Sequence, residues 1–201
     1  MIPLRRLPDV RAAGDLVWFE LALDRLRVLR HETDPRLRGF FAADAPLYIA
    51  RAPGRLDVMG GIADYSGARV LELPLECSTT ALVQHQAAPR CDLATHRANQ
   101  WHFFSVELPS LREPSGAMGT PAALATWFAT RGADRWASYG VGVVQACLKL
   151  AAPAPPPPGL RLLIDSTVPE GRGVASSAAL AVARLLGPSG LGPAGSMEGV
   201  A

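Results

Sequence analysis

The sequence predicts an α+β domain in which a mixed or antiparallel sheet carries helices mainly on one of its faces. Short apolar or alternating runs, bounded by Gly, Pro and polar residues, are typical of strands. Longer runs with apolar residues at helical spacing predict helices that cover the sheet. The strand-like runs are Leu47–Ala52, Val70–Leu75, Thr79–Gln84, Cys91–Thr95, Trp101–Leu108 and Leu160–Ile164. The helical runs are Asp15–Arg30, Pro121–Thr130, Arg135–Leu150 and Ala178–Leu186.

Composition indicates an ordinary globular protein. The chain has 201 residues, of which 49% are hydrophobic, and its net charge is only +2. Without a basic cluster, no electrostatic feature favours nucleic acid or an anionic membrane as a partner. Residues 1–9 contain two prolines and lack the apolar segment of a signal peptide. The three cysteines are widely spaced and odd in number, which predicts reduced thiols in a cytoplasmic protein.

The order of the runs predicts three regions. Residues 1–45 are expected to form a helical extension, residues 46–186 the main domain, and residues 187–201 a flexible Gly/Pro-rich tail. Within the main domain, Pro53-Gly54 is a turn signal, and Cys91–Thr95 with Trp101–Leu108 predicts a hairpin. The run AAPAPPPP at residues 151–158 predicts a polyproline spacer on the surface.

The stretch VPEGRGVASSAALAVA, residues 168–183, joins the last strand to a helix. Gly171 and Gly173 can adopt backbone angles that other residues avoid, so an anion can approach the main chain closely. Ser176 and Ser177 fall where the helix begins, and a helix N-terminus favours phosphate. The sequence therefore predicts a phosphate cradle, although a tight strand-to-helix connection with a serine cap is an alternative.

A second constellation, APGRLDVMGGIADYSG, spans residues 52–67. It is interpreted as a strand, a tight turn, a second short strand and a glycine loop. Arg55 and Asp64 are charged residues in small and apolar surroundings, and Gly60 and Gly61 make room for a ligand. A carboxylate can accept hydrogen bonds from sugar hydroxyls, and a guanidinium can stabilise a phosphoryl group. The alternative is that Arg55 and Asp64 pair with each other or face solvent.

Taken in this order, the two stretches resemble the GHMP small-molecule kinases, the superfamily of galactokinase, homoserine kinase and mevalonate kinase. APGR followed by Gly-x-x-x-Asp-Tyr resembles the substrate-side signature of galactokinases. VPEGRGVASSAAL resembles the phosphate loop of the superfamily, and Trp136–Tyr139 resembles a helical stretch of galactokinases. The resemblance implies the N-terminal half of the family fold, which is similar to domain 2 of ribosomal protein S5.

The resemblance also implies roles for matching residues. Arg55 would contact the sugar and the transferring phosphoryl group, and so is the candidate catalytic residue. The family signature places the sugar at Arg55, Gly60, Gly61, Asp64 and Tyr65. The phosphates of ATP would lie on Pro169, Gly171, Arg172, Gly173, Val174, Ala175, Ser176 and Ser177, with Mg²⁺ near Ser177. The implied reaction is transfer of the γ-phosphoryl group to a sugar hydroxyl, at the anomeric carbon of L-arabinose or galactose.

One departure from the family pattern concerns the sugar. Gly61-Ile62 stands where galactokinases usually carry Glu-His, and in the family that glutamate reaches the hydroxymethyl arm of galactose. L-arabinose has the same ring configuration without that arm, and MGGIADYSG resembles L-arabinokinases. Ala175 also replaces the first serine of the usual triplet, and Ala181 stands where a glutamate is common.

A further departure lies after the phosphate loop. The family's catalytic aspartate and its acidic Mg²⁺ ligand would follow Ser177, yet the only acidic residue after Ser177 is Glu198. We therefore expect a fragment that lacks the C-terminal catalytic half, exposes apolar surface and has no meaningful turnover alone. It would be a truncated product, a frameshift product or one piece of a split enzyme. The alternatives are a non-catalytic sugar- or nucleotide-binding remnant and a GHMP kinase for another small molecule.

Overall fold

The described part of the chain forms a five-stranded mixed sheet with the strand order β1-β2-β5-β3-β4. A computed structural model describes residues 34–60, 66–97, 100–112, 119–150, 159–169 and 171–174. The strands are β1 (Leu47–Met59), β2 (Leu71–Gln86), β3 (Arg90–Arg97), β4 (Gln100–Glu107) and β5 (Gly159–Ser166). Only the β3–β5 pair is parallel, and the other three pairs are antiparallel. The predicted α+β fold is confirmed.

The prediction of a turn at Pro53-Gly54 is wrong, because β1 continues through it to Met59. A proline lacks an N–H donor and is tolerated where a strand has a neighbour on one side only. Among the described strands, β1 lies at the end of the order, and its pairing shifts register between Pro53 and Arg55. The irregularity is therefore absorbed as a bulge rather than as a turn.

The predicted break between Val70–Leu75 and Thr79–Gln84 is also wrong, because both runs belong to β2. Strand β5 pairs with β2 only from Thr79 to Gln86. Pro74 lies outside that range and pairs with Arg55 of β1 alone, so its missing N–H removes no bond to β5. The two-stranded extension exposes apolar side chains. Leu56, Val58, Leu71 and Leu73 are 45–54% exposed.

The predicted hairpin is confirmed as β3 and β4, and β5 is inserted between β2 and β3. Strand β5 has a neighbour on each side, and its pattern of buried residues is nearly continuous. Leu160, Leu162, Leu163 and Ile164 are at most 3% exposed. A strand buried on both faces needs apolar residues at successive positions, which explains the run LRLLI.

Two helices pack on one face of the sheet. Beside the short helix α1 (Pro35–Arg38), the helices are α2 (Pro121–Ala129) and α3 (Ser138–Leu150). Thr120 caps α2 by accepting a hydrogen bond from the N–H of Ala123, and Pro121 occupies its first turn. The predicted start of the second helix at Arg135 is corrected to Ser138, because a 3₁₀ helix occupies Gly132–Ala137. Phe128, Val141 and Val144 of these helices lie in the same core as strand residues Leu93 and Ile164.

The other face of the sheet carries a smaller core around α1. Leu37 and Phe40 pack there with Leu82 and Leu163 of the sheet. Gln84 is fully buried and attaches the loop after α1 to β2. Its side-chain oxygen accepts from the N–H of Ala42 at 2.7 Å, and its amide nitrogen donates to the carbonyls of Ala42 and Ala45. This pairing satisfies a polar side chain that would otherwise be costly to bury.

Asp92 forms a polar cluster at the edge of the same face. Its carboxylate accepts hydrogen bonds from Gln86 at 2.8 Å, from Arg90 at 3.0 Å and from Ser105. Burial raises the pKa of Asp92, but the hydrogen bonds from Ser105, Gln86 and Arg90 outweigh it and hold that pKa below the ordinary aspartate value. The charged carboxylate therefore stabilises the folded state.

Several predicted elements lie outside the described residues: the helices Asp15–Arg30 and Ala178–Leu186, the spacer 151–158 and the tail 187–201. The described helices include none that is both long and apolar enough to cross a membrane.

Replacing Asp92 by Asn is expected to lower the free energy of unfolding at neutral pH by about 1–3 kcal/mol, because three donors lose a charged acceptor. The wild-type contribution is present above the unfolded-state pKa, about 3.9. It is lost as pH falls through the lowered pKa of the folded state, so this part of the acid dependence should be missing in the variant.

Urea unfolding of both proteins at a series of acidic and neutral pH values measures this difference. Asp44→Asn is the matched control, because Asp44 is an exposed aspartate. Equal stability of the Asp92→Asn and Asp44→Asn variants at neutral pH would show that the cluster does not stabilise the fold.

Candidate functional site

The two stretches singled out in the sequence meet in the structure. The backbone N–H of Arg55 donates a hydrogen bond to the carbonyl of Val174 at 3.1 Å. Arg55 lies on β1. Val174 lies in the loop after β5 that contains Gly171 and Gly173, which is called the glycine loop below. The loop is therefore attached directly to the strand that carries the charged residue of the other motif.

The sheet topology explains this meeting. Strands β1 and β5 are both antiparallel to β2, so they run in the same direction on either side of it. Ala52 pairs with Thr79, and Thr79 pairs with Ser166, which places these three residues in one row across the sheet. The segments that follow Ala52 and Ser166 consequently leave that row towards the same end of the sheet.

Gly54 permits the close approach of the loop. A Cβ atom at Gly54 would lie 3.1 Å from Val168 Cγ1, 3.2 Å from Cys77 Sγ and 3.3 Å from the carbonyl oxygen of Val174. These separations are tighter than ordinary van der Waals contact, so any larger residue would push the loop away. Sequence reasoning missed this role, although a glycine directly before Arg55 was a visible signal.

The base of the loop is held by hydrogen bonds between β2 and the residues after β5. Thr167 donates its N–H to the carbonyl of Ser78 at 3.0 Å, and the N–H of Ser78 donates to Thr167 Oγ1 at 3.0 Å. The hydroxyls of Thr79 and Ser166 are 2.8 Å apart, and Val168 is buried. The loop therefore departs from a well-anchored position.

Beyond Val168 the described part of the loop is exposed, and it contains the two predicted glycines. Gly171 and Gly173 have φ values of 69° and 72°, in the left-handed region that favours glycine. Pro169 and Arg172 are exposed, and Val174 is half-buried. A loop with left-handed glycines at Gly171 and Gly173 can present main-chain N–H groups to an anion.

The side chain of Arg55 pairs with Glu72, a residue that sequence reasoning did not single out. Arg55 Nε lies 3.0 Å from Glu72 Oε2, and the two side chains are 46% and 25% exposed. Glu72 lies on β2 beside the bulged end of β1, with Asp57 as its partner in register. A half-exposed pair of this kind contributes little to stability, about 0–1 kcal/mol, so the guanidinium can exchange partners at low cost.

The remaining predicted site residues fall into two groups. Gly60 directly follows β1 and has a φ of 85°, which explains a glycine at that position. Gly61, Asp64, Tyr65, Ala175, Ser176 and Ser177 lie outside the described residues. The structure therefore does not test the predicted sugar contact of Asp64 or the Mg²⁺ contact of Ser177. Nor does it test the alternative pairing of Arg55 with Asp64.

No group of three or more His, Cys, Asp or Glu residues is placed to hold a metal ion within the described part of the chain, residues 34–60, 66–97, 100–112, 119–150, 159–169 and 171–174. Among the described residues, Cys77 and Cys91 are reduced cysteines.

Two family models match the chain. The model described as "GHMP kinases N terminal domain" matches residues 140–191, and the model described as "Galactokinase galactose-binding signature" matches residues 38–85. The second match contains Arg55 and Glu72, and the first contains the glycine loop.

Curated relatives agree with these matches over part of their length. L-arabinokinase of Arabidopsis thaliana is 32% identical in an alignment of 171 positions that covers 73% of this chain and 16% of that protein. The galactokinases of dog and human are each 32% identical, over 82% of this chain and 35% of those proteins. The chain thus spans about a sixth to a third of the length of these relatives.

Solved structures support the fold. Galactokinase of Lactococcus lactis, determined with galactose, superimposes with a TM-score of 0.52 and 19% identity over 87% of this chain and 36% of that chain. Mevalonate kinase of Methanococcus jannaschii gives a TM-score of 0.52 and 17% identity over 71% of this chain and 39% of that chain. At this identity, the likeness concerns the fold alone.

Replacing Gly54 by Ala is expected to destabilise the protein by about 1–3 kcal/mol, because the new Cβ presses on Val168, Cys77 and Val174. The strain should fall on the contact between β1 and the glycine loop. The Arg55 amide should therefore exchange its hydrogen faster, because its hydrogen bond to Val174 weakens. Hydrogen exchange and urea unfolding measure the two effects.

Gly132→Ala is the control for this substitution, because a Cβ atom at Gly132 would meet nothing within 4 Å. If the Arg55 amide exchanged equally fast in the two variants, Gly54 would not be what keeps the loop attached to β1.

Proposed function

We propose that the chain belongs to the GHMP kinases, in their galactokinase and L-arabinokinase branch, and serves an ATP-dependent sugar kinase. The reaction is transfer of the γ-phosphoryl group of ATP to a monosaccharide hydroxyl, at the anomeric carbon. One observation above all supports the proposal: the hydrogen bond from the Arg55 N–H to the Val174 carbonyl joins the sugar-side motif to the glycine loop.

In this proposal the glycine loop holds the phosphates of ATP. The left-handed conformations of Gly171 and Gly173 suit a main-chain cradle in which N–H groups point at phosphate oxygens. The amides of Arg172 to Ala175 would take part, with the hydroxyls of Ser176 and Ser177. Mg²⁺, held near Ser177 and the phosphates, would neutralise part of the charge of the triphosphate.

The sugar would lie beside Arg55, against Gly60 and Gly61, with Asp64 and Tyr65 as further contacts. Arg55 would leave Glu72 to meet the charge of the transferring phosphoryl group, which is feasible because the pair is half-exposed. Catalysis of phosphoryl transfer is mostly positioning and charge stabilisation, so a guanidinium attached to the phosphate loop is well suited to it.

We propose L-arabinose as the preferred sugar. Gly61 and Ile62 stand where galactokinases usually carry Glu-His, so the side chain that would reach a hydroxymethyl arm is missing. A pentose without that arm loses no hydrogen bond at such a site. The 32% identity to an L-arabinokinase is consistent with this choice but does not distinguish it from galactose, because galactokinases are equally similar.

The 201 residues alone are proposed to bind ligands without meaningful turnover, since Glu198 is the only acidic residue after Ser177. Activity is therefore proposed for a kinase that contains the chain's two motifs together with an acidic catalytic segment. A cytoplasmic location is part of the proposal and is consistent with reduced thiols at Cys77 and Cys91.

Gly173→Ala is expected to weaken binding of MgATP to the chain by about tenfold, because alanine at a positive φ costs about 1–2 kcal/mol and moves the loop amides. Isothermal titration measures the affinity. Gly67→Ala is the matched control, since Gly67 also has a positive φ of 73° but lies outside the loop.

Equal affinity of Gly173→Ala and wild type would contradict the phosphate cradle. Sugar-dependent ADP release by the 201-residue chain at a rate typical of kinases, about 1 s⁻¹ or faster, would contradict the proposed lack of turnover. Binding of sugar or ATP without turnover in any longer form of the protein would favour the non-catalytic alternative.

L-arabinose is expected to be the better substrate of a kinase in which this chain is completed by a galactokinase C-terminal half. Without a contact to its hydroxymethyl group, galactose should lose about 1–3 kcal/mol of transition-state binding, which lowers its kcat/KM tenfold or more. A coupled ADP assay over a panel of pentoses and hexoses measures the ratio. Gly61→Glu should shift preference towards galactose, and a wild-type preference for galactose would refute the assignment of the sugar.

A further inference from the structure

A cavity on the α1 side of the sheet lies apart from the glycine loop. Its volume is about 410 Å³, within the range of small-molecule sites, and Arg36, Arg90 and Arg161 line it together with Phe40 and Phe103. Arg161 lies five positions before Ser166 on β5, and Ser166 is the last residue of β5 before the glycine loop. The cavity is therefore a separate feature from the proposed kinase site.

The register of the sheet explains why its charged residues are neighbours. Arg161 of β5 pairs with Asp92 of β3, and Asp92 pairs with Ser105 of β4. Paired residues point to the same face of a sheet, so these three side chains form a row along the cavity wall. Phe103 is two positions from Ser105 on β4 and shares that face.

Arg36 is held in place before any ligand arrives. Its Nε and Nη2 atoms donate to the carboxylate of Asp34 at 3.0 and 2.7 Å. Its guanidinium also lies 4.0 Å from the centroid of the Phe103 ring. A guanidinium fixed by a carboxylate and a ring retains free N–H donors in a defined plane.

Arg161 differs from the other two arginines that line the cavity. The carboxylate of Asp92 beside it already accepts from Gln86, Arg90 and Ser105. Among the described residues, Arg161 has no hydrogen-bond or ion-pair partner. The cavity lining thus carries three guanidinium groups beside an aromatic wall, and two of them already pair with carboxylates, Arg36 with Asp34 and Arg90 with Asp92.

We propose that this cavity binds an organic phosphate, a phosphate ester that carries an aromatic or other flat apolar group. The phosphate lies against Arg90 and Arg161, because planar guanidinium groups bind phosphate through paired hydrogen bonds. The apolar group lies against Phe40 and Phe103. The site is independent of the proposed kinase reaction.

Calorimetric titration of the full chain with phenyl phosphate tests the site. Saturable binding is expected, and Arg161→Gln should weaken it by about tenfold, the loss of one charge-assisted contact. Arg161→Lys, which keeps the charge but not the fork, should bind with intermediate affinity. Arg135→Gln is the matched control, since Arg135 is an exposed arginine on the 3₁₀ helix.

Phenol and benzoate separate the contributions of the ring and of the anion, and both should bind more weakly than phenyl phosphate. Chemical-shift changes in the ¹H–¹⁵N spectrum should cluster at Arg90–Asp92, Phe103–Ser105 and Arg161. Shifts confined to Gly171–Val174, unchanged affinity in a folded Arg161→Gln variant, or equal binding of benzoate would each overturn the proposal. None of these results depends on whether the chain binds ATP.

Discussion

The candidate site depends on one hydrogen bond between distant segments, from the Arg55 N–H to the Val174 carbonyl. That bond is possible because β1 and β5 run in the same direction on either side of β2. The residues after Ala52 and those after Ser166 therefore leave a common row at the same end of the sheet. Neither motif brings about this proximity; the antiparallel pairing of both strands with β2 does.

The same constraint accounts for local features that are unfavourable in isolation. A proline and a glycine lie within β1, where its pairing with β2 shifts register. The buried Gly54 weakens a strand intrinsically, yet it leaves room for Val168 and Val174 at the point where the loop crosses. The paired bonds between Ser78 and Thr167 then hold the loop base against β2.

The two faces of the sheet differ in their chemistry. One face is covered by α2 and α3 and forms the larger apolar core. The other carries α1, the buried Gln84 and the row of Arg161, Asp92 and Ser105. Polar residues are tolerated on the second face because each of Gln84 and Asp92 is satisfied by several partners.

The sequence by itself determined the α+β class, most strand and helix positions and the left-handed glycines of the loop, because these follow from periodicity and from the backbone freedom of single residues. It also predicted the resemblance to GHMP kinases, since APGR and VPEGRGVASSAAL are local motifs. Only the tertiary structure decided that β1 continues through Pro53-Gly54, that Glu72 pairs with Arg55 and that Arg161 borders a cavity. Each of these features depends on which strands are neighbours and in what register they pair. Strand pairing brings together residues that are far apart along the chain, so no local sequence pattern predicts their contact.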